Sequence, residues 1–360
     1  MTNRESEIFR WICENPMISQ EELAERAGIT RSSVAVHISN LIKKGYIRGK
    51  GYITSEPGRY IVIGGANVDI GGIPDENVID GDSNPGSIGI SFGGVGRNIA
   101  HNMSLLGLPV EFISAFGDDP NGKSMLDDLA VLGIECAASL HTKSLPTSTY
   151  MYISNKNGDM QLAVADMKIT DLITPEFISD KMNYINHASA IILDTNIPAE
   201  TIEYILKNAE VPVIVDPVST AKGERLKPVL GMIHTITPNR LEAEMLTGVK
   251  ISNANDAAKA ADILLEKGVR RVFITLGAEG VYCADASEGY MLPAIKADVV
   301  NTTGAGDAFT ASLAYSYERG FSLKETGIFG TAASAIALEG KETINSGLTE
   351  DLVLERAELK

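Results

Sequence analysis

From residue 60 onward, short apolar runs alternate with helical stretches, and this rhythm restricts the fold more than any other feature. The runs are 60–64, 110–115, 190–194, 213–216, 235–237 and 272–276; helical patterns lie between most of them, at 95–106, 122–132, 199–208, 240–246 and 255–267. A strand, a helix and another strand make the unit of a parallel sheet covered on both faces. An α/β fold around a mainly parallel sheet is therefore expected. Two segments break the rhythm. Residues 70–91 and 147–165 alternate apolar and polar side chains around Gly and Asn, as a small half-exposed antiparallel sheet does. Such a sheet can form a lid over a site on the main one.

The first 56 residues follow another pattern, with three short helical stretches and two strand-like pieces, and read as a separate domain before a second one over 57–360. Ile8, Phe9, Ile12 and Cys13 make one apolar helix face. Ser19 with Glu22 reads as a capping box opening a helix over 20–27, and Gly28 closes it. Thr30 caps a third helix, 31–44, with Val34, Ile38, Leu41 and Ile42 inward and Arg31, Ser32, Ser33, His37 and Asn40 outward. This spacing resembles a helix-turn-helix whose third helix is the recognition helix, and 45–53 reads as a hairpin similar to the wing of winged-helix domains. Arg31, Lys43, Lys44, Arg48 and Lys50 form a basic stretch without an acid, in a chain of net charge -16. Contact with DNA and a role in dimerisation both fit it. The break at Glu56, Pro57 and Gly58 serves as a linker.

The acidic balance excludes a protein whose whole surface binds nucleic acid or anionic membrane. Cys13, Cys136 and Cys283 are far apart and lack neighbouring His or Cys, so neither a disulfide framework nor a zinc site is indicated and buried, reduced thiols are expected. The first ten residues lack the order of a signal peptide, and no apolar run reaches the roughly 18 residues of a membrane span. A cytoplasmic protein without membrane partners is expected.

The chemistry centres on Asn301-Thr302-Thr303-Gly304-Ala305-Gly306-Asp307. Small residues at a helix start let backbone N–H groups approach an anion, where the helix dipole also favours negative charge. A carboxylate in the first turn is then placed to accept a proton from an attacking hydroxyl. Alone, the run is more often a glycine turn with an N-terminal helix Asp. Its company decides otherwise. Asn67 and Asp69 follow a strand, and Phe92-Gly93-Gly94-Val95-Gly96-Arg97-Asn98 is a glycine turn leading into an amide-bearing helix. Together with Thr237-Pro238-Asn239-Arg240-Leu241-Glu242 and Thr275-Leu276-Gly277-Ala278-Glu279-Gly280, these motifs resemble, in order, those of the ribokinase-like (PfkB) carbohydrate and nucleoside kinases.

The resemblance implies a three-layer α/β/α kinase domain with a small β lid. It implies Asp307 as general base and the N–H groups of Gly304, Ala305 and Gly306 as an anion hole. Asn67, Asp69, Gly93, Gly94 and Asn98 would hold sugar hydroxyls, which need donors and acceptors together. Asn239 and Glu242 would act through water on Mg2+ bound to ATP, and Thr275, Gly277 and Gly280 would border the nucleotide. Asn301 stands where the family usually has Asp at a monovalent-cation site, so K+ activation is left open, with the Thr303 carbonyl as a further ligand. A homodimer is the expected assembly.

Within the family, Asp82-Ser83-Asn84-Pro85-Gly86, Asp166-Met167 and Val215-Asp216-Pro217-Val218-Ser219 are similar to the pseudouridine kinases of bacteria. Pseudouridine keeps a second ring N–H that uridine lacks, which Ser83 or Asp166 would read; a site built to pair such a group rejects the analogue without it strongly. Ribose, another sugar or an ordinary nucleoside are the other acceptors. The reading from a different class is a DNA-binding regulator whose kinase-like domain senses a ligand.

Overall fold

Alternate residues of the first strand of the large domain, β1 (Tyr60–Ile63), go to opposite sides of the sheet, and both sides are buried. Tyr60 and Val62 join one core, Ile61 and Ile63 another. This double burial is why the strand reads as a continuous apolar run. The computed structural model describes residues 1–15, 18–47, 58–155 and 159–359.

The remaining strands are β2 (Asn67–Pro74), β3 (Gly86–Gly93), β4 (Val110–Ile113), β5 (Ala115–Gly117), β6 (Leu140–Thr142), β7 (Thr149–Ser154) and β8 (Met160–Asp166). They continue with β9 (Ala190–Asp194), β10 (Val213–Asp216), β11 (Thr235–Ile236), β12 (Arg271–Thr275), β13 (Val281–Asp285) and β14 (Gly289–Leu292). The main sheet has the order β14-β13-β12-β11-β10-β9-β1-β4. It is parallel from β4 to β12, and the edge strands β13 and β14 are antiparallel. Helices Val95–Leu105, Ala305–Arg319 and Leu323–Leu338 pack in the first core, and Ala199–Asn208 and Ala254–Glu266 in the second. This is the layered α/β/α arrangement.

The lid is a second sheet of order β3-β2-β7-β8. It is not wholly antiparallel as expected, because β2 and β7 pair in parallel. The expected run 110–115 also divides: β4 ends at Ile113, and Ala115–Gly117 pairs with β6 in a two-stranded sheet.

Before this domain, helices α1 (Asn3–Glu14), α2 (Gln20–Ala27) and α3 (Arg31–Lys43) enclose their own core, in which Ile8, Ile12, Leu23, Val34, Ile38 and Leu41 are buried. Ser19 caps α2 by accepting from Glu22 N at 3.1 Å. The reciprocal half of the box is not formed, since Glu22 pairs with Arg26 one turn on. Gly28 ends α2 at φ 63° and Thr30 caps α3. Two side chains differ from expectation: Ile42 and Cys13 are exposed, because the narrow three-helix core closes with Leu41 and Ile12. Cys283 is buried and Cys136 partly so. The expected wing lies outside the described residues from residue 48 on, as do Glu56 and Pro57 of the linker. The module rests on the large domain, where Asn183 Nδ2 donates to Lys43 O at 2.7 Å and Tyr46 meets His187 edge-on at 4.2 Å. Among the described residues no helix is long and apolar enough to cross a membrane.

Candidate active site

Strand β2 leaves the carboxyl end of β1 and carries Asn67 and Asp69 into the lid, where Asn67 Nδ2 donates to Asp69 Oδ1 at 2.7 Å. Gly93 opposes Asn67 in the register of β3, and a Cβ at Gly93 would fall 2.1 Å from Asp69 Oδ2. Only glycine leaves room for that carboxylate. Burial raises the pKa of Asp69, against the opposing pull of Asn67 and Arg97. Gly94 turns the chain into the helix Val95–Leu105, which presents Asn98 to the site. Asn98 Nδ2 donates to Asp307 Oδ2 at 2.8 Å, while its buried Oδ1 has no partner among the described residues. Arg97 serves the frame instead, donating to Phe92 O and to Asp128.

Asp307 lies in the first turn of Ala305–Arg319, a helix entered through Gly304 at φ 86°. A Cβ at Gly304 would meet Thr343 O at 2.0 Å, so both backbone angle and space require glycine. Burial, and next the negative charge of Asp216, raise the pKa of Asp307 well above the usual carboxylate range; the Asn98 N–H acts against them. Asp216 closes β10, accepting from Val218 N at 2.8 Å and from the Thr310 hydroxyl at 2.9 Å. Burial pushes it up to about 6, and Asp194 adds to the rise. Val218 holds φ 64°, a strained angle for a β-branched residue. Asp194, wholly buried at the end of β9, accepts from Gly65 N at 2.9 Å and Asn196 N at 2.8 Å, and burial raises its pKa too. Asp194 and Asp216 were not singled out as site residues from sequence. The available signal was an Asp ending an apolar strand of a parallel sheet, beyond whose carboxyl ends ligands gather.

On the other side of the same helix start lies a cavity of about 560 Å³, lined in part by Thr275, Gly277, Gly280, Ala305 and Gly306. One helix terminus thus joins the two groups of predicted residues: Gly306 borders the cavity, and Asp307 meets Asn98. Asn239 bridges to Thr275 and opens a short helix with Glu242 as a reciprocal capping box. Glu242 Oε1 accepts from Asn239 Nδ2 at 2.7 Å and Oε2 from Asn239 N at 2.9 Å. Burial pushes Glu242 up to about 7, with Asp216 adding to the rise. Among the described residues no group of three or more His, Cys, Asp or Glu is placed to hold a metal ion.

Asn301 spends its side chain on its own loop, Oδ1 accepting from Thr303 N at 2.9 Å and Nδ2 donating to Lys341 O at 3.3 Å. Its Oδ1 keeps a second lone pair but lacks the charge of a carboxylate. Ser83 and Asp166 do not join the cluster. Ser83 is exposed in the loop between β2 and β3, and Asp166 is exposed and pairs with Thr149, on the lid face opposite Asp69.

Comparison with known proteins agrees with this geometry. The pattern of the pfkB family carbohydrate kinases matches residues 59–350, and that of winged helix-turn-helix DNA-binding domains matches residues 1–48. The chain is 37% identical over 356 residues to an uncharacterised sugar kinase of Escherichia coli, YeiI, covering 98% of each. It is 40% identical over 292 residues to the pseudouridine kinase of the same organism, covering 80% of this chain and 93% of that one. Among solved structures, a carbohydrate kinase from Agrobacterium tumefaciens has a TM-score of 0.75 at 29% identity, covering 84% of this chain and 97% of that chain. Ribokinase from Thermotoga maritima also has 0.75, at 26% identity, covering 84% and 100%.

Proposed function

The chain belongs to the pfkB family of carbohydrate kinases, with an N-terminal winged helix-turn-helix, and from that premise we propose that it phosphorylates the 5'-hydroxyl of pseudouridine. The observation that carries this is the 2.8 Å bond between Asn98 and Asp307 at a helix start that also borders the nucleotide cavity. Similarity to the pseudouridine kinase supports the choice of acceptor.

Asn67, Asp69 and Asn98 bind the ring hydroxyls, and the unpartnered Asn98 Oδ1 is an acceptor for one of them. Gly93 and Gly94 flank these groups, Gly93 leaving room for the Asp69 carboxylate and Gly94 for the chain at Gly65. Asp307 takes the proton of the 5'-hydroxyl, whose oxygen bonds to phosphorus while the bond to the ADP oxygen breaks. Backbone N–H groups of Gly304, Ala305 and Gly306 stabilise the charge developing on the phosphoryl oxygens. ATP supplies the phosphoryl group from the cavity bounded by Thr275, Gly277 and Gly280, and Asn239 and Glu242 would hold, through water, a magnesium ion that neutralises phosphate charge. For K+, Asn301 would offer its uncharged amide oxygen and Thr303 its carbonyl.

Initial rates on pseudouridine, uridine, adenosine and ribose test the acceptor. Pseudouridine is expected to lead by kcat/KM, and a faster rate on ribose overturns the assignment. A second reading concerns residues 1–56. Arg31, Ser32 and Lys43 are exposed on α3, the helix that enters the major groove in such modules. A salt-dependent shift of labelled promoter duplex is expected, and none at low salt leaves the module as a docking element. We infer a homodimer that meets through the outer lid face, a reading supported by Ile88 and Ile90, 76% and 68% exposed; sedimentation as a monomer removes it.

A further inference from the structure

Strand register divides the lid into two faces. Asn67, Asp69 and Gly71 of β2 share the inner face with Gly93, Ser91 and Gly89 of β3, and Asp69 and Gly71 share it with Tyr150 and Tyr152 of β7. Ile70, Ile88, Ile90, Met151, Leu162 and Val164 make the outer face. Both residues that the sequence offered as readers of a base go with the outer side. Asp166 pairs with Thr149 in that set, and the Ser83 loop is pinned by Asn84, which lines a cavity of about 290 Å³ with Ile70, Gly72 and Ile153.

The inner face has its own recess. Successive rows along a strand face lie about 7 Å apart, and in the row beyond Asp69 two glycines, Gly71 and Gly89, oppose each other. No atom comes within 4 Å of where a Cβ at Gly89 would stand. A Cβ at Gly71 would fall 2.6 Å from the Tyr152 ring, so the ring lies directly over that glycine. Here lies a cavity of about 330 Å³, lined by Gly71, Ile73, Ser87, Gly89, Ser91 and Tyr152, with Ile88 and Ile90 of the same β3 segment also on its border. The Tyr150 ring stands 6.0 Å from that of Tyr152, tilted by 37°. Among the described residues the Tyr152 hydroxyl has no hydrogen-bond partner.

We propose that this recess is the base subsite of the acceptor, with Tyr152 against the plane of a pyrimidine-type base and the Ser87 and Ser91 hydroxyls at its edge. The inference rests on the nucleoside kinase reading and deepens it. With the 5'-hydroxyl turned to Asp307 and ring hydroxyls on Asn67 and Asp69, the substituent at the far end of the ribose points along the lid toward Gly71. A flat ring fits over Gly89, which carries no side chain, beside the Tyr152 ring that covers Gly71. Each serine hydroxyl both donates and accepts, as alternating ring N–H and carbonyl groups require. Free ribose ends at the Asp69 row and leaves the recess unused, so these residues separate nucleosides from sugars.

The test is steady-state kinetics of Tyr152→Ala, Tyr152→Phe and Gly71→Ala on pseudouridine, uridine and ribose, with the KM for ATP followed in each variant. Loss of a stacking ring is expected to raise the nucleoside KM about tenfold or more. In the Ala variant kcat changes little and the rate on ribose relative to nucleosides rises, whereas the Phe variant keeps the nucleoside KM within about twofold. Gly71→Ala, which pushes the ring into the recess, raises the nucleoside KM as the Ala variant at Tyr152 does. An unchanged KM for ATP certifies the fold. If the wild type phosphorylates nucleosides and neither alanine variant moves their KM, the base subsite is wrong while the kinase reading stands. If the wild type acts on ribose and on no nucleoside, both fall together.

Discussion

Glu5 in the helical module and the carboxylates above the sheet are all withdrawn from water, yet they resolve that burial in opposite ways. Glu5 is 2% exposed, accepts from Lys44 Nζ at 2.8 Å and from Thr2 N at 2.7 Å, and those bonds, Lys44 first, hold its pKa down to about 2. Asp194, Asp216, Asp307 and Glu242 have no ion pair among the described residues, and burial raises all four. A buried carboxylate with its own cation fixes a chain in place. One without a cation costs stability, and that cost is tolerated where a tightly held, transferable proton is useful. The module is built on the first principle and the carboxylates above the sheet on the second.

The largest test of that contrast is Asp307→Asn. Turnover should fall by about 10² to 10⁴, the share of a general base, while the thermal midpoint holds or rises because a neutral amide replaces an uncompensated charge. Activity and calorimetry on one preparation read both. Near-normal turnover moves the base elsewhere; a lower midpoint puts Asp307 among the stabilising groups.

The matching change in the module is Lys44→Met. It leaves Glu5 buried with only the Thr2 N–H and should cost about 2 kcal/mol in chemical denaturation of the module. Kinase rates should be retained, since the described contacts of Lys44 lie within the module. An unchanged denaturation midpoint makes Glu5 and Lys44 a surface pair and removes the contrast.

How far the site was legible follows from the same distinction between local and distant contacts. Asn98, Asp307, Asn239 and Glu242 sit in short motifs whose spacing fixes a glycine turn or a capping box, so the sequence alone exposes them. The period-2 alternation of the lid was equally plain, but alternation does not say which face turns to the cleft. Ser83 and Asp166 rest on motifs similar to the pseudouridine kinases, whereas the position of Tyr152 over Gly71 follows only from strand register. Asp194 and Asp216 close apolar strands as many structural Asp residues do. Their coupling to Asp307 arises from parallel pairing of β9 with β10 and from Thr310, 94 positions beyond Asp216. The antiparallel edge strands β13 and β14 have short, mixed sequences with no period strong enough to announce them.

The smallest expected effect is on stability as a function of pH, and its sign differs between the two regions. Asp216 at about 6 and Glu242 at about 7 bind protons more tightly folded than unfolded. Between their unfolded values, near 4, and those folded values the native state carries the extra protons, so stability falls as pH rises through the window. The large domain should accordingly gain on the order of 1 kcal/mol between pH 7.5 and pH 5.5, a modest figure because the two carboxylates share one field and water reaches the cleft. Glu5, held down to about 2, contributes stability in full above its unfolded value and loses it only as pH falls toward 2. Calorimetry from pH 7.5 to pH 3 should therefore show the large domain's transition rising first, and the module's falling only near the acid end. If the large domain's transition instead falls steadily from pH 7.5, its carboxylates are ionised and stabilising, and the division between paired and unpaired acids fails.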